Sequence, residues 1–541
     1  MKGVLKKTLA AGLSLLLCLG GVACTGRTYE PGENGLVHIS AANLGYGTGW
    51  LEALKEVFQE EYGINVYIDS YTGSAGVDRL DTEIESLSSD TDLFFGRRGW
   101  FAEDVYKGTI SAADGNQYPC LYADLSDVWE AVVDEGSELS IYDKIDPLYR
   151  DAYNIEGSYY ALPWAGGVYG IVRNLDVWNA LGLSDEDIPY TTDDLFDLCD
   201  SVKDTLAEDD GKACFIYALE EEYYTGWSTI FFAQYEGKKN AEAFMDGRDP
   251  NGERTQHVYT YDGQVEAMEV LERLIDAENG YQYSRSSSID FTTMQGLFLR
   301  GEALFCVNGS WLEIEMGTNF DSANVDMIKT PVVSSIVNRL SFGNDSSLNA
   351  DQKDDRLVEL IKYVDAVDAG ETPALPTYAA EATVENDIAI VTEARHYSYM
   401  AGGTDHQAYI PSYSKHIREA KEFLKFMYSD RGLQIYYESM QGAMLPAMLT
   451  EGAYDASGMQ LSGFRESVNA AQLDGFVYDR EPTARYFVLP HISACFENGV
   501  SPVVALRGGD SAMDIITDNR NSIGSRWETI AGLLGSDYIN S

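Results

Sequence analysis

The chain reads as an α/β protein with mainly parallel strands, divided into at least two domains. Three observations predict this. Short apolar runs alternate with amphipathic helical stretches along most of the sequence. At 541 residues the chain is longer than one hydrophobic core supports. Its 45% hydrophobic and 12% aromatic content leaves little room for disorder beyond an N-terminal linker.

The first 23 residues stand apart from the fold. Lys2, Lys6 and Lys7 form a basic start, and Leu9 to Leu19 form an apolar run too short to span a membrane. Gly21-Val22-Ala23 supplies the small residues at which a signal peptidase cuts. The next residue is Cys24, followed by the polar stretch to Gly35, which suits a lipidated cysteine and a linker over 24–35. A Leu is usual three residues before such a cysteine, and Gly21 stands there, so ordinary cleavage and free secretion stay open. Two acyl chains would tether the protein, whereas one barely holds.

Strand and helix signals then follow in turn. Leu36 to Ala41 is a short strand running into the turn Gly45-Tyr-Gly-Thr-Gly-Trp50. Leu51, Leu54, Val57 and Phe58 recur at helical spacing, and Gly63 ends that helix. Ile64 to Ile68 alternates as a strand, Val77 to Leu87 is an amphipathic helix, and Asp92 to Phe95 is a brief buried strand. Later, Gly167 to Val172 and Ala303 to Val307 read as strands. Thr192 to Leu206 reads as a helix capped by Thr192 or Asp193, and Ile417 to Met427 as a clear amphipathic helix. The acidic stretch from Phe342 to Tyr409 reads as helices and loops added to this pattern.

Composition excludes several functions. The net charge of −49, more negative once the three leading lysines are gone, opposes nucleic acid and polyanionic ligands. A neutral ligand is the natural expectation, although acidity also keeps a surface protein soluble. The turn at Gly45 to Trp50 lacks the Gly-Lys-Ser/Thr of a phosphate loop and the spacing of a dinucleotide loop. The cysteines show no CxxC pair, so no zinc site is expected, and one disulfide at most. No histidine pair has metal-ligand helical spacing, and Asp246 to Glu253 reads as a turn rather than a calcium loop. No cofactor or metal is therefore expected. With 87 carboxylates, a pair suited to glycoside hydrolysis cannot be picked out by abundance.

What stands out is the placing of aromatics. Trp50, Trp100, Phe101, Trp164, Tyr223, Tyr224, Trp227 and Trp311 lie in or beside glycine-rich or polar turns. Any one of them could fill a core. As a set they suit sugar rings, whose C–H faces stack on aromatic faces while side chains hydrogen-bond the hydroxyls. Arg97 and Arg98 stand beside Trp100, and three acids precede Tyr224 and Trp227.

Three segments in order resemble family 1 extracellular solute-binding proteins, the maltodextrin-binding-like lipoproteins of ABC importers. Tyr159-Tyr-Ala-Leu-Pro163 with Gly170 to Trp178 and Leu181-Gly-Leu183 resembles the family's lobe crossing, with Arg173-Asn174 in place of the usual Tyr-Asn. Phe298 to Trp311 is similar to its second-lobe strand and Gly-x-Trp, and Glu419 to Ser429 to a late helix, followed by Gly442 to Pro446. The resemblance implies a two-lobe, Venus-flytrap fold, no catalysis, and a monomer that delivers an oligosaccharide to importer membrane subunits from the outer face of the cytoplasmic membrane. It implies a first lobe over 36–163 and 335–442 and a second over 164–334 and 443–541. It implies ligand contacts at Trp311, Trp227, Tyr224, Trp164, Trp100, Arg98, Arg97, Trp50 and Tyr46. A binder of peptides or other solutes, a sensory module for a membrane kinase, and a secreted glycoside hydrolase are the alternatives.

Overall fold

The computed structural model describes residues 29–43, 47–98, 101–145, 149–150, 153–209, 211–218, 222–245, 248–253, 255–257, 260–402, 406–440, 447, 450, 462–473, 475–477 and 502–534. The readings made on residues 1–28, including the cleavage site and Cys24, and on Tyr46 and Trp100 lie outside them.

Two sheets organise the chain. The first contains β1 (Gly35–Asn43), β2 (Ile64–Thr72), β3 (Leu93–Arg97) and β4 (Ala161–Pro163). The second contains β5 (Gly167–Asn174), β6 (Ala213–Ile216), β7 (Ala303–Gly309), β8 (Val325–Ile328), β9 (Tyr399–Gly402) and β11 (Gly475–Val477). Strand β10 (His406–Tyr409) returns to the first sheet, whose order is β2-β1-β3-β10-β4. The second runs β6-β7-β5-β9-β11, with β8 also paired to β5. Strands β1, β2 and β3 are parallel, and in the second sheet β7, β8 and β9 all run against β5.

Local chemistry sets the element ends. Helix α1 (Gly49–Tyr62) buries Trp50, Leu51, Leu54 and Phe58 and stops at Gly63, whose φ of 67° is open to glycine at no steric cost. Helix α2 (Gly73–Glu85) connects β2 to β3. Helix α3 (Thr192–Glu208) is capped one residue earlier than expected, because the Thr191 hydroxyl accepts from Asp194 N. Helix α4 (Glu222–Glu236) packs on β7 and β9 of the second sheet and α5 (Gly263–Ile275) packs against α4, followed by α6 (Phe291–Leu299), capped by Asp290, and the short α7 (Leu312–Met316).

The stretch from Phe342 to Tyr409 departs from expectation in two ways. Its helices α8 (Ala350–Asp368) and α9 (Glu381–His396) bury Leu357, Leu360, Ile361, Val364, Val391 and Ala394 in the core that also holds Trp227, Phe305 and Val332 of the second sheet's side. A bidentate Arg395–Asp365 pair at 2.9 Å ties them together, and Gln234 of α4 donates to the Tyr397 carbonyl. These residues were expected with the first lobe. Their many surface acids masked an apolar inner stripe. The stretch also ends in β9 and β10, four-residue strands too short for alternation to reveal them.

The chain passes from the first sheet to the second between Pro163 and Gly167 and back between Gly402 and His406. Helices α10 (Ile417–Met427) and α11 (Asp430–Met440) pack with α1, and Ala447 bridges to Ile145. Helix α12 (Gly463–Leu473) then packs on β8, β5 and β9. Helix α13 (Ala512–Leu534) lies on α5, where Glu272 accepts from Ala512 N. Among the described residues no helix is long and apolar enough to cross a membrane.

Candidate functional site

The carboxyl ends of β1 and β3, at Asn43 and Arg97, lie at the edge of the first sheet where β10 begins and β4 ends. The carboxyl ends of β7 and β9, at Gly309 and Gly402, meet the start of β5. Both sheets thus turn the edge at which α/β proteins hold ligands toward the two crossing segments.

On the first-sheet side, aromatics close the turns. Trp50 stacks on Trp164 at 5.6 Å and 14°, with Phe95 edge-on to Trp50 at 5.3 Å. The Trp50 indole donates to Gly47 O and the Trp164 indole to Gly96 O. The Trp164 backbone donates to His406 O, and Tyr436 donates to Trp164 O. Trp50 and Trp164 are 2% and 1% exposed. They pin the β1–α1 turn, the end of β3 and the first crossing together.

Arg97 is the last residue of β3 and Arg98 the first beyond it, and the two part company there. Arg97 is exposed and in register with His406. Arg98 is 1% exposed and bonds Asp81 at 2.7 Å, Glu85 at 2.8 Å, Asp104 at 2.6 Å and the Tyr122 hydroxyl at 2.8 Å. These partners hold its guanidinium firmly charged, against the effect of burial.

On the second-sheet side, helical phase separates neighbours. Tyr224, Trp227 and Phe231 fall at i, i+3 and i+7 on the inner face of α4. Tyr224 is 1% exposed and donates to Gln282, while fully buried Trp227 donates to Thr330 Oγ1. Tyr223 lies on a different face. Its hydroxyl accepts the Trp311 indole N–H at 2.9 Å, with the rings 5.7 Å apart. Tyr169 of β5 completes a trio, 6.1 Å from Trp311 and 6.2 Å from Tyr223. All three are half-buried.

Glycines make the floor of this platform. A Cβ on Gly309 would stand 2.4 Å from the Trp311 ring, and one on Gly167 3.0 Å. A Cβ on Gly226 would stand 1.8 Å from the Tyr169 hydroxyl. Only bare backbone lets these rings lie so close. Beside them, Asn308 Nδ2 and Ser310 Oγ are buried without a hydrogen-bond partner among the described residues. Glu315, one turn past Trp311, accepts from Gln295 at 2.6 Å, and burial pushes its carboxyl up to about 7.

The structure therefore departs from the sequence expectation for Trp50, Trp164, Tyr224, Trp227 and Arg98. Each is enclosed and engaged by protein. Trp311 and Arg97 keep exposed surface near the crossing. Tyr169 was missed, because it sits inside an apolar strand run, and only the glycines on either side of its neighbours hinted at a platform. Asp249 uses its carboxylate on Asn251 N and Glu253 N within its own turn. Among the described residues no cluster of three or more His, Cys, Asp or Glu could hold a metal.

Residues 53–350 match the sequence profile of a family described as bacterial extracellular solute-binding protein. No curated protein matches the chain. Among solved structures, a maltose-bound MalE3 of T. maritima is 14% identical with a TM-score of 0.57, covering 91% of this chain and 99% of that one. The GacH receptor of Streptomyces glaucescens, solved unliganded and with acarbose, is 15% identical with a TM-score of 0.57, covering 92% and 98%. The ABC substrate-binding protein Lmo0181 from Listeria monocytogenes, in complex with cycloalternan, is 13% identical with a TM-score of 0.58, covering 91% and 98%. At these identities the likeness speaks to the fold.

Proposed function

The chain belongs to the bacterial extracellular solute-binding proteins, and we propose that it captures a neutral oligosaccharide and delivers it to the membrane subunits of an ABC importer. The observation that carries this reading is the half-buried trio of Tyr169, Tyr223 and Trp311 on its glycine floor. A sugar ring presents an apolar C–H face to such rings. Similar folds hold maltose, acarbose and cycloalternan in three other proteins, which is consistent with this chemistry.

In this reading the first lobe is built on the first sheet and the second lobe on the second. Ligand seats on the second-lobe platform and the first-lobe rim, near Arg97, closes over it. Ligand binds the closed form better and so raises its population. That closed surface is what the importer meets. The leading segment over 1–23 is removed, and acylation of Cys24 tethers the monomer outside the cytoplasmic membrane. No catalytic step is part of this function.

The test is a thermal-shift screen of protein lacking residues 1–24 against neutral oligosaccharides. Ligand at 100 times its Kd stabilises the native state by about 2.7 kcal/mol and raises Tm. Silence across a broad panel from a folded protein overturns the sugar assignment and moves it to peptides or other solutes. Release of shorter sugars during incubation would instead identify a hydrolase.

A further inference from the structure

Four described cysteines are free thiols and all are buried. Two of them meet. Cys199 lies on the inner face of α3 and Cys214 on β6, and both are fully enclosed. The Cys214 thiol donates toward the Cys199 carbonyl at 3.6 Å, and the Cys214 thiol is the largest influence raising the Cys199 thiol. Cys120 instead donates to the Tyr122 carbonyl at 3.1 Å, and burial alone raises the Cys306 thiol. The contact is thus particular to one pair. It joins two consecutive elements of the second sheet's layer, so a short loop of chain brings the two residues together.

We propose that Cys199 and Cys214 form an intrachain disulfide when the chain folds outside the cytoplasm. The compartment follows from membership of an extracellular family and does not depend on the sugar reading. Outside the cytoplasm, thiols no longer meet the reducing pool that keeps them free. The oxidant is a disulfide-bearing thiol oxidant, either oxidised glutathione or an extracytoplasmic oxidase of that chemistry. One cysteine thiolate attacks its disulfide, forming a mixed disulfide and expelling one thiol. The second thiolate attacks the protein-side sulfur, closing the Cys199–Cys214 bond and expelling the second thiol. The protein loses two electrons and two protons, and the oxidant gains them.

The surroundings say when this happens. The neighbouring thiol and burial together push the Cys199 thiol well above its usual range, so the attacking thiolate is scarce in the folded protein. The bond is made while α3 and β6 assemble and is then enclosed, which makes it a structural bond rather than a switch.

The full chain, exported by a bacterial host and recovered from outside the membrane, is denatured, alkylated without reduction, and digested. The expected result is a peptide pair linked through Cys199 and Cys214, two hydrogens lighter than the free pair, with Cys120 and Cys306 alkylated. In C199S, Cys214 becomes alkylated and the other two are unchanged. Reduction of the wild type lowers Tm by roughly 5 °C, and a C199S/C214S variant shows no such response. Complete alkylation of both Cys199 and Cys214 in the exported wild type overturns the proposal. That result would leave the solute reading untouched, since oligosaccharide binding is measured separately.

Discussion

Two groups of aromatic rings flank the crossing segments, and they differ in what holds them. Trp50 and Trp164 stack face to face on the first-sheet side, with both indole N–H groups bonded to backbone carbonyls and almost no exposed surface. Tyr169, Tyr223 and Trp311 on the second-sheet side stay half-buried, over glycines that expose bare backbone. The first group stabilises the junction by burial. The second keeps faces available. Nearness to a cleft is therefore not the mark of a binding aromatic. In the proposed reading, residual exposure on a floor without Cβ atoms is.

The comparison breaks most easily at Trp164. Trp164→Ala removes a ring packed against Trp50 and Phe95 and should lower stability by about 3–5 kcal/mol, read from the urea midpoint. A loss under about 1 kcal/mol would mean the pair is not core. Trp311→Ala should do the reverse, with little change in the urea midpoint but about 30-fold weaker oligosaccharide binding by calorimetry, roughly 2 kcal/mol. Equal binding by this variant would remove the platform from the site. Gly309→Ala sharpens the point, because its Cβ would press into the Trp311 ring. We expect about tenfold weaker binding, near 1.4 kcal/mol, without losing any ligand-contacting atom.

Much of this arrangement was legible in the sequence. The helix at Ile417–Met427 was bounded as read, and the strands beginning at Gly167 and Ala303 fell where their apolar runs begin. Trp311 was singled out by the Gly-x-Trp likeness. What failed was phase. Tyr223, Tyr224 and Trp227 were placed in or beside a turn, but Glu222 onward is helix, and a helix sends Tyr224 and Trp227 inward while Tyr223 goes elsewhere. Arg97 ends a five-residue strand and Arg98 follows it, and nothing in so short a run says which one faces out. Tyr169 hid in an apolar strand for the same reason.

Glu315 tests whether the platform's support is electrostatically loaded while the first-sheet junction is not. Its carboxyl is pushed up to about 7 by burial, with the Gln295 hydrogen bond opposing. Unfolded, it returns to the ordinary glutamate range near 4.3. Between those values the native state holds a proton that the unfolded state has released. The stability this contributes is present at and below the unfolded pKa and is lost as pH rises through about 7. Allowing for solvent screening, we expect about 1 kcal/mol between pH 5 and 8. Asp354, pushed up to about 7 by burial and by Asp194, adds a slope of the same sign. A wild-type profile alone therefore cannot assign the effect. Glu315→Gln keeps an acceptor for Gln295 Nε2 but cannot ionise, so the difference between wild-type and variant urea midpoints across pH isolates Glu315. Parallel profiles would show that the carboxylate beside Trp311 is already well solvated. The platform would then rest on packing alone, as the Trp50–Trp164 pair does.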